Sequence, residues 1–163
     1  ANDDYESRVE KRWGHAKVDA ALVALFTLDG VPFVYNGQEV ADAARHSIFG
    51  KLPINWANGE TEAGKARFAL CQKLCALRKT EGALTRGETE WLDNDAPEAV
   101  LAFARTLGGA RIVSLVNLTD KAVKVRVAGA GGGAPVALVS VRAQVGAAEG
   151  FKLGAYGYWV GKQ

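Results

Sequence analysis

Apolar residues recur at intervals of three and four in the first half of the chain and of two in the second, with the change near residue 82. From Ala16 to Leu28, the residues Val18, Leu22, Leu25 and Phe26 form one stripe, which predicts a helix with a single buried side. Gly30 sits where a helix C-terminus favours a left-handed residue, and Pro32 forbids continuation. Val31, Phe33, Val34 and Tyr35 then follow without polar alternation, the pattern of a strand buried on both faces of a helix-covered parallel sheet. A second helix is predicted from about Thr61 to Thr80, with Leu70, Leu74 and Leu77 inward and Lys65, Gln72, Lys73 and Lys79 toward water. Helix, buried strand, long loop and helix is the grammar of a β/α unit.

Beyond residue 82 the period is that of a strand. Val100, Ala102 and Ala104 alternate with Leu101, Phe103 and Arg105, and Arg111–Val116 and Val123–Val127 repeat the pattern. Val136–Val141 and Gly157–Val160 are further strand candidates. Turn residues at Asp93-Asn94-Asp95, Gly108-Gly109 and Thr119-Asp120 separate them, which suggests an antiparallel sandwich. Gly129-Ala130-Gly131-Gly132-Gly133 is not a phosphate loop, because no Lys-Ser/Thr pair and no helix follows; it is a flexible strand connection.

Composition narrows the class. The chain has 163 residues, 48% hydrophobic and 23% charged, the balance of a globular protein of one ordinary domain or two small ones. A net charge of +2 without a Lys/Arg cluster argues against a nucleic-acid partner. The longest apolar run, Ala20–Leu28, is far too short to cross a bilayer, so no membrane partner is expected. The chain opens Ala-Asn-Asp-Asp and holds no Met, and it reads as a fragment or a processed product whose compartment is not encoded. Cys71 and Cys75 share one helical face and are expected to be buried structural thiols. Neither His15 nor His46 has a nucleophile-elbow serine or metal-ligand spacing nearby, so serine, cysteine and zinc chemistries find no support.

Four stretches carry a resemblance to a known family. Gly30-Val31-Pro32-Phe33-Val34-Tyr35-Asn36-Gly37-Gln38-Glu39-Val40 resembles the last barrel strand of the α-amylase family of glycoside hydrolases. Pro53-Ile54-Asn55-Trp56 is similar to the Pro-x-x-Trp stretch of the loop before that family's final helix. Leu77-Arg78-Lys79 with Ala83-Leu84 and Gly87 resembles the end of that helix, and Leu153 to Tyr156-Gly157-Tyr158-Trp159-Val160 the close of the C-terminal domain. The resemblance implies an α+β chain: the last β/α unit or units of a TIM-type barrel over residues 1–82, then an antiparallel Greek-key β-sandwich over 83–163.

In such a barrel the active site lies at the C-terminal strand ends. Tyr35, Asn36, Gln38 and Glu39 occupy such an end, and Trp56 lies in the loop that follows; all five are candidate substrate-binding residues, with Arg8. The opposing readings are that Glu39 holds the loop through backbone groups and that Trp56 packs on the barrel rim. Retaining catalysis is implied, with an Asp nucleophile and a Glu acid about 5 Å apart, both on middle strands that this chain does not contain. A third carboxylate closes the seventh strand in an Asn-His-Asp triplet. Either Asp4, in Asn2-Asp3-Asp4, is that residue, or the triplet lies just upstream.

The implied function is part of a retaining hydrolase of α-glucosidic bonds in starch-like α-glucans or oligosaccharides, inactive by itself. The alternative is a non-catalytic β-domain that stabilises the barrel or binds carbohydrate. No cofactor and no metal site is expected in the chain; calcium is common in relatives, with ligands upstream. The expected partners are the α-glucan or oligosaccharide, the missing N-terminal part of the barrel, and a second copy of the chain through the exposed edges of the 31–35 strand.

Overall fold

The computed structural model describes residues 8–47, 49–130, 135–148 and 150–163. Two helices open it, α1 (Val9–Trp13) and α2 (His15–Thr27), hinged at Gly14. Because an α-helix turns about 100° per residue, Val18, Leu22, Val23 and Phe26 of α2 span one inward arc. Leu25, placed on the buried stripe from sequence, falls beyond the edge of that arc and is 40% exposed. Helix α3 (Glu62–Thr80) is capped by Thr61, whose Oγ1 accepts from the Gly64 amide at 3.0 Å. Arg67, Cys71, Leu74 and Leu77 line its inner side. Cys75 is exposed and Cys71 buried, both unbonded, which corrects the expectation of two buried thiols. A short helix not foreseen from sequence, α4 (Gly82–Arg86), leads into the sheet.

All strand pairings are antiparallel. Strands β1 (Glu88–Trp91), β2 (Val100–Leu107), β3 (Ala110–Asn117), β4 (Val123–Arg126), β5 (Val136–Val145) and β6 (Gly150–Lys162) form one sheet in the order β1-β2-β3-β6-β4, with β5 on β6. The last strand is bent: Gly150–Leu153 pair with β4, and Tyr158–Lys162 with β3. The corner is built from close backbone approach. A Cβ on Gly157 would lie 2.6 Å from the Arg142 carbonyl oxygen, so only glycine fits. Arg142 and Tyr156 on either side adopt positive φ.

Period-two alternation gives the sheet two cores. Val113, Leu115, Val125, Phe151, Leu153 and Trp159 fill the inside of the fold, with the Phe151 and Trp159 rings 5.2 Å apart. On the other face Ile112, Val116, Tyr158 and Val160 meet α2, α3 and α4. Polar ties add to that junction. Buried Arg105 donates to the Gly87 carbonyl at 2.7 Å and lies 3.4 Å from Asp29, and Lys162 donates to Glu81 at 2.8 Å. Arg78 of α3 closes the C-terminus of α2 by donating to the carbonyls of Phe26 (2.8 Å), Leu28 (3.3 Å) and Gly30 (2.7 Å).

The stretch Val31–Tyr35, expected as a strand buried on both faces, is extended but joins no ladder, and Val31 and Phe33 are 93% and 72% exposed. A strand is defined by its neighbours: Pro32 lacks an N–H, and every described strand of the chain is engaged in the β1–β6 sheet.

Candidate functional site

The extended stretch ends in a tight turn. The Gln38 amide donates to the Tyr35 carbonyl at 2.8 Å, and the Gln38 side-chain oxygen accepts from the Tyr35 amide at 3.1 Å. Gly37 stands at the apex with φ +82°, which favours glycine, and is closely crowded: a Cβ there would lie 3.0 Å from Ile54 Cγ2 and 3.2 Å from Asp42 Cβ. A single 3-10 turn, Gln38–Val40, follows. Asp42 then folds back, its amide donating to the Gly37 carbonyl at 3.0 Å.

Asp42 is fully buried and joins both halves of the loop. Its Oδ1 accepts from Asn58 Nδ2 at 2.9 Å and from the Ala44 amide at 3.1 Å, and its Oδ2 from the Asn55 amide at 3.4 Å. Oδ2 also lies 2.9 Å from His46 Nε2, while His46 Nδ1 lies 2.9 Å from Arg8 Nη1. A guanidinium has no lone pair to offer, so Nδ1 accepts, and the ring proton sits on Nε2 and is donated to Asp42. Arg8 donates again, from Nη2 to the Asn36 carbonyl at 3.0 Å, and its guanidinium lies 5.2 Å from the centre of the Tyr35 ring. Burial pushes the Asp42 carboxyl upward, but the bonds from Ala44, His46 and Asn55 and the charge of Arg8 outweigh it and hold the group below the usual aspartate range. Asp42 is therefore a fixed anion and acceptor rather than an acid.

A second buried arginine supports the turn from below. Arg67 of α3 donates to Glu10 and to the Gln38 carbonyl, each at 3.1 Å, to the His15 carbonyl at 3.3 Å, and to Asp19. Glu39 is half-buried and near enough to Cys71 of α3 for its charge to bear on that thiol. Burial, only partly offset by the positive charge of Arg67, pushes the Cys71 thiol up to about 11, with smaller upward contributions from Cys75, Glu39 and Asp19.

The residues proposed from sequence thus divide. Tyr35 (41% exposed) and Asn36 form the outer tip. Gln38 turns its side chain to the backbone of that tip. Trp56, 57% exposed, starts a second 3-10 turn, Trp56–Glu60, that Asn58 ties to Asp42. Arg8 is buried behind the tip. Asp4, with Asn2-Asp3, lies outside the described residues. Asp42, Asn58 and Arg67 escaped sequence reading, and His46 was weighed there only as a catalytic base or metal ligand. Asp42 and His46 are four residues apart in an irregular loop where no helical period draws attention to them, and Asn58 and Arg67 meet their partners only through the fold. Among the described residues no group of three or more His, Cys, Asp or Glu side chains is arranged to hold a metal ion. What the cluster can do is hold a polar and aromatic tip rigidly at the surface.

Residues 89–160 match the maltogenic amylase C-terminal domain. Two cyclomaltodextrin glucanotransferases are similar in sequence. That of Bacillus sp. (strain 1-1) is 29% identical over 106 residues, 64% of this chain and 14% of the relative. That of Geobacillus stearothermophilus is 32% identical over 103 residues, 62% of this chain and 13% of the relative. Among solved structures, a noncanonic maltogenic α-amylase from Thermotoga neapolitana superposes with a TM-score of 0.75 and 25% identity, covering all of this chain and 40% of that one. The chain therefore spans about one seventh of the length of the curated relatives it matches.

Proposed function

We propose that this chain, whose residues 89–160 match the maltogenic amylase C-terminal domain and which superposes over its whole length on a maltogenic α-amylase, is the closing part of an α-amylase-family retaining hydrolase of α-glucosidic bonds. Residues 1–82 are then the last β/α elements of a TIM-type barrel, and 83–163 a Greek-key β-domain built on the bent β6 strand. The observation that carries this reading is the superposition on the Thermotoga amylase over the whole chain, which extends the likeness beyond the β-domain to α2, α3 and the tip between them.

On this reading Val31–Tyr35 is a barrel stave whose neighbours are supplied by chain outside these residues, and the Tyr35–Gln38 tip and the Trp56 turn face the sugar cleft. A carboxylate pair about 5 Å apart, needed for retention, comes from that other part. Asp4 is the third carboxylate that accompanies this pair, or lies just past the triplet that holds it. Calcium, where the parent holds it, is bound by residues outside this chain, and no step here runs through it.

The β-domain acts as a brace. Phe103, Phe151, Tyr158 and Trp159 are all buried, which leaves few aromatics for a sugar platform, and one core packs the sheet onto the helices. Incubated with maltoheptaose, the 163-residue chain should release no reducing sugar, whereas a full-length parent should release it with retained anomeric configuration. Turnover by the chain alone, or inversion by the parent, defeats the proposal.

A further inference from the structure

We infer that Asp42 and His46 are positioning residues, a carboxylate–imidazole–guanidinium relay that sets the Tyr35–Asn36 tip through Arg8 and the Trp56 turn through Asn58. The inference deepens the glycosidase reading and rests on it for the identity of what the tip meets. Arg8, Asp42 and His46 are 4%, 0% and 7% exposed, while Tyr35 is 41% exposed, so the relay is sealed and its output is at the tip. Each link leaves one orientation free. Asp42, pinned by Asn58 and two backbone amides, fixes His46 with Nε2–H inward. His46 then offers Nδ1 to Arg8, and Arg8 donates from its other terminal nitrogen to the Asn36 carbonyl, with its guanidinium carbon 5.2 Å from the centre of the Tyr35 ring. Buried ionic groups are seldom the cheapest way to stabilise a loop, since apolar packing of equal volume is often as stable. Their use here is explained by a demand for orientation: a substrate-contacting group already held in its bound geometry loses less freedom on binding, which tightens binding.

The test uses the full-length protein with H46A and H46Q. A glutamine amide reproduces both links, its oxygen accepting from Arg8 and its N–H donating to Asp42; alanine reproduces neither. H46A is expected to raise KM for maltoheptaose about tenfold with little change in kcat, and H46Q to return KM toward the wild-type value. H46Q as impaired as H46A, or both equal to wild type, overturns the relay. Should H46A fail to fold, H46Q alone decides, with a near-native KM supporting the relay and a raised KM overturning it. Histidine-selective 15N spectra of the same protein, with His46 assigned by its loss in H46Q, provide a readout independent of turnover. An Nε2–H ring is expected, and an Nδ1–H ring overturns the inference. If the protein cleaves no α-glucan, the glycosidase reading fails while the spectrum still judges the relay.

Discussion

A carboxylate with no exposed surface, such as Asp42, is tolerable only where hydrogen bonds replace the water it has lost, and four donors do so here. Because those bonds depress its pKa relative to the unfolded chain, Asp42 adds stability above the ordinary aspartate value of 3.8, and that stability is lost as the pH falls through the lower folded value. D42N should therefore cost about 1–3 kcal/mol at neutral pH, with the gap to wild type closing on acidification below 3.8 in urea melts. A gap independent of pH would show that the charge is not what the site uses. The cysteines provide a second residue-scale check. Brief alkylation of the native protein should modify exposed Cys75 and spare buried Cys71, whose thiol is pushed up to about 11. Sequence reading put both on one buried face because four-residue spacing keeps neighbours on one side of a helix. The inner line of α3 runs Arg67, Cys71, Leu74, Leu77, a step of four and then steps of three, which leaves Cys75 outside it.

Elements with a strong period were legible. Both long helices and the strands on both sides of Gly108-Gly109 lie within a few residues of where alternation placed them, because burial of one face is a local pattern. What alternation does not carry is pairing. The strands around Val136 and Gly157 are each longer than predicted, β5 running Val136–Val145 and β6 Gly150–Lys162, since the bend at Gly154–Gly157 interrupts the pattern without ending the strand. Gly157→Ala should destabilise the β-domain by about 1–3 kcal/mol through forced backbone shifts, read as a lowered thermal midpoint; an unchanged midpoint would mean that the corner is not held by the Arg142 approach. The stretch Val31–Tyr35 was read as a buried strand from its unbroken apolar run, and such a run reports only that both faces are meant to be covered. Coverage itself depends on neighbours, and none of the described strands pairs with it. The candidate site was legible where it followed the recognisable strand end, at Tyr35, Asn36 and Gln38, and illegible where it depended on side chains converging from distant segments.

At the scale of the whole molecule, the helices and the sheet share one hydrophobic core and several polar ties, while apolar surface is left open elsewhere. Val31, Phe33, Phe49 and Trp56 are at least half exposed. Uncovered apolar surface of this kind, with an unpaired extended backbone beside it, is an association site. On the proposed reading the rest of the barrel covers it; in its absence the chain is expected to self-associate in sedimentation experiments, and a strictly monomeric chain would argue against an open barrel edge. The most direct test of the account compares amide hydrogen exchange over Val31–Asn36 in the 163-residue chain and in the full-length parent. Protection should be minimal in the chain at concentrations low enough to prevent association, and should rise to the level of the β3 amides in the parent, where barrel neighbours supply the missing bonds. Equal, weak protection in both would contradict the assignment of this stretch as an inner stave.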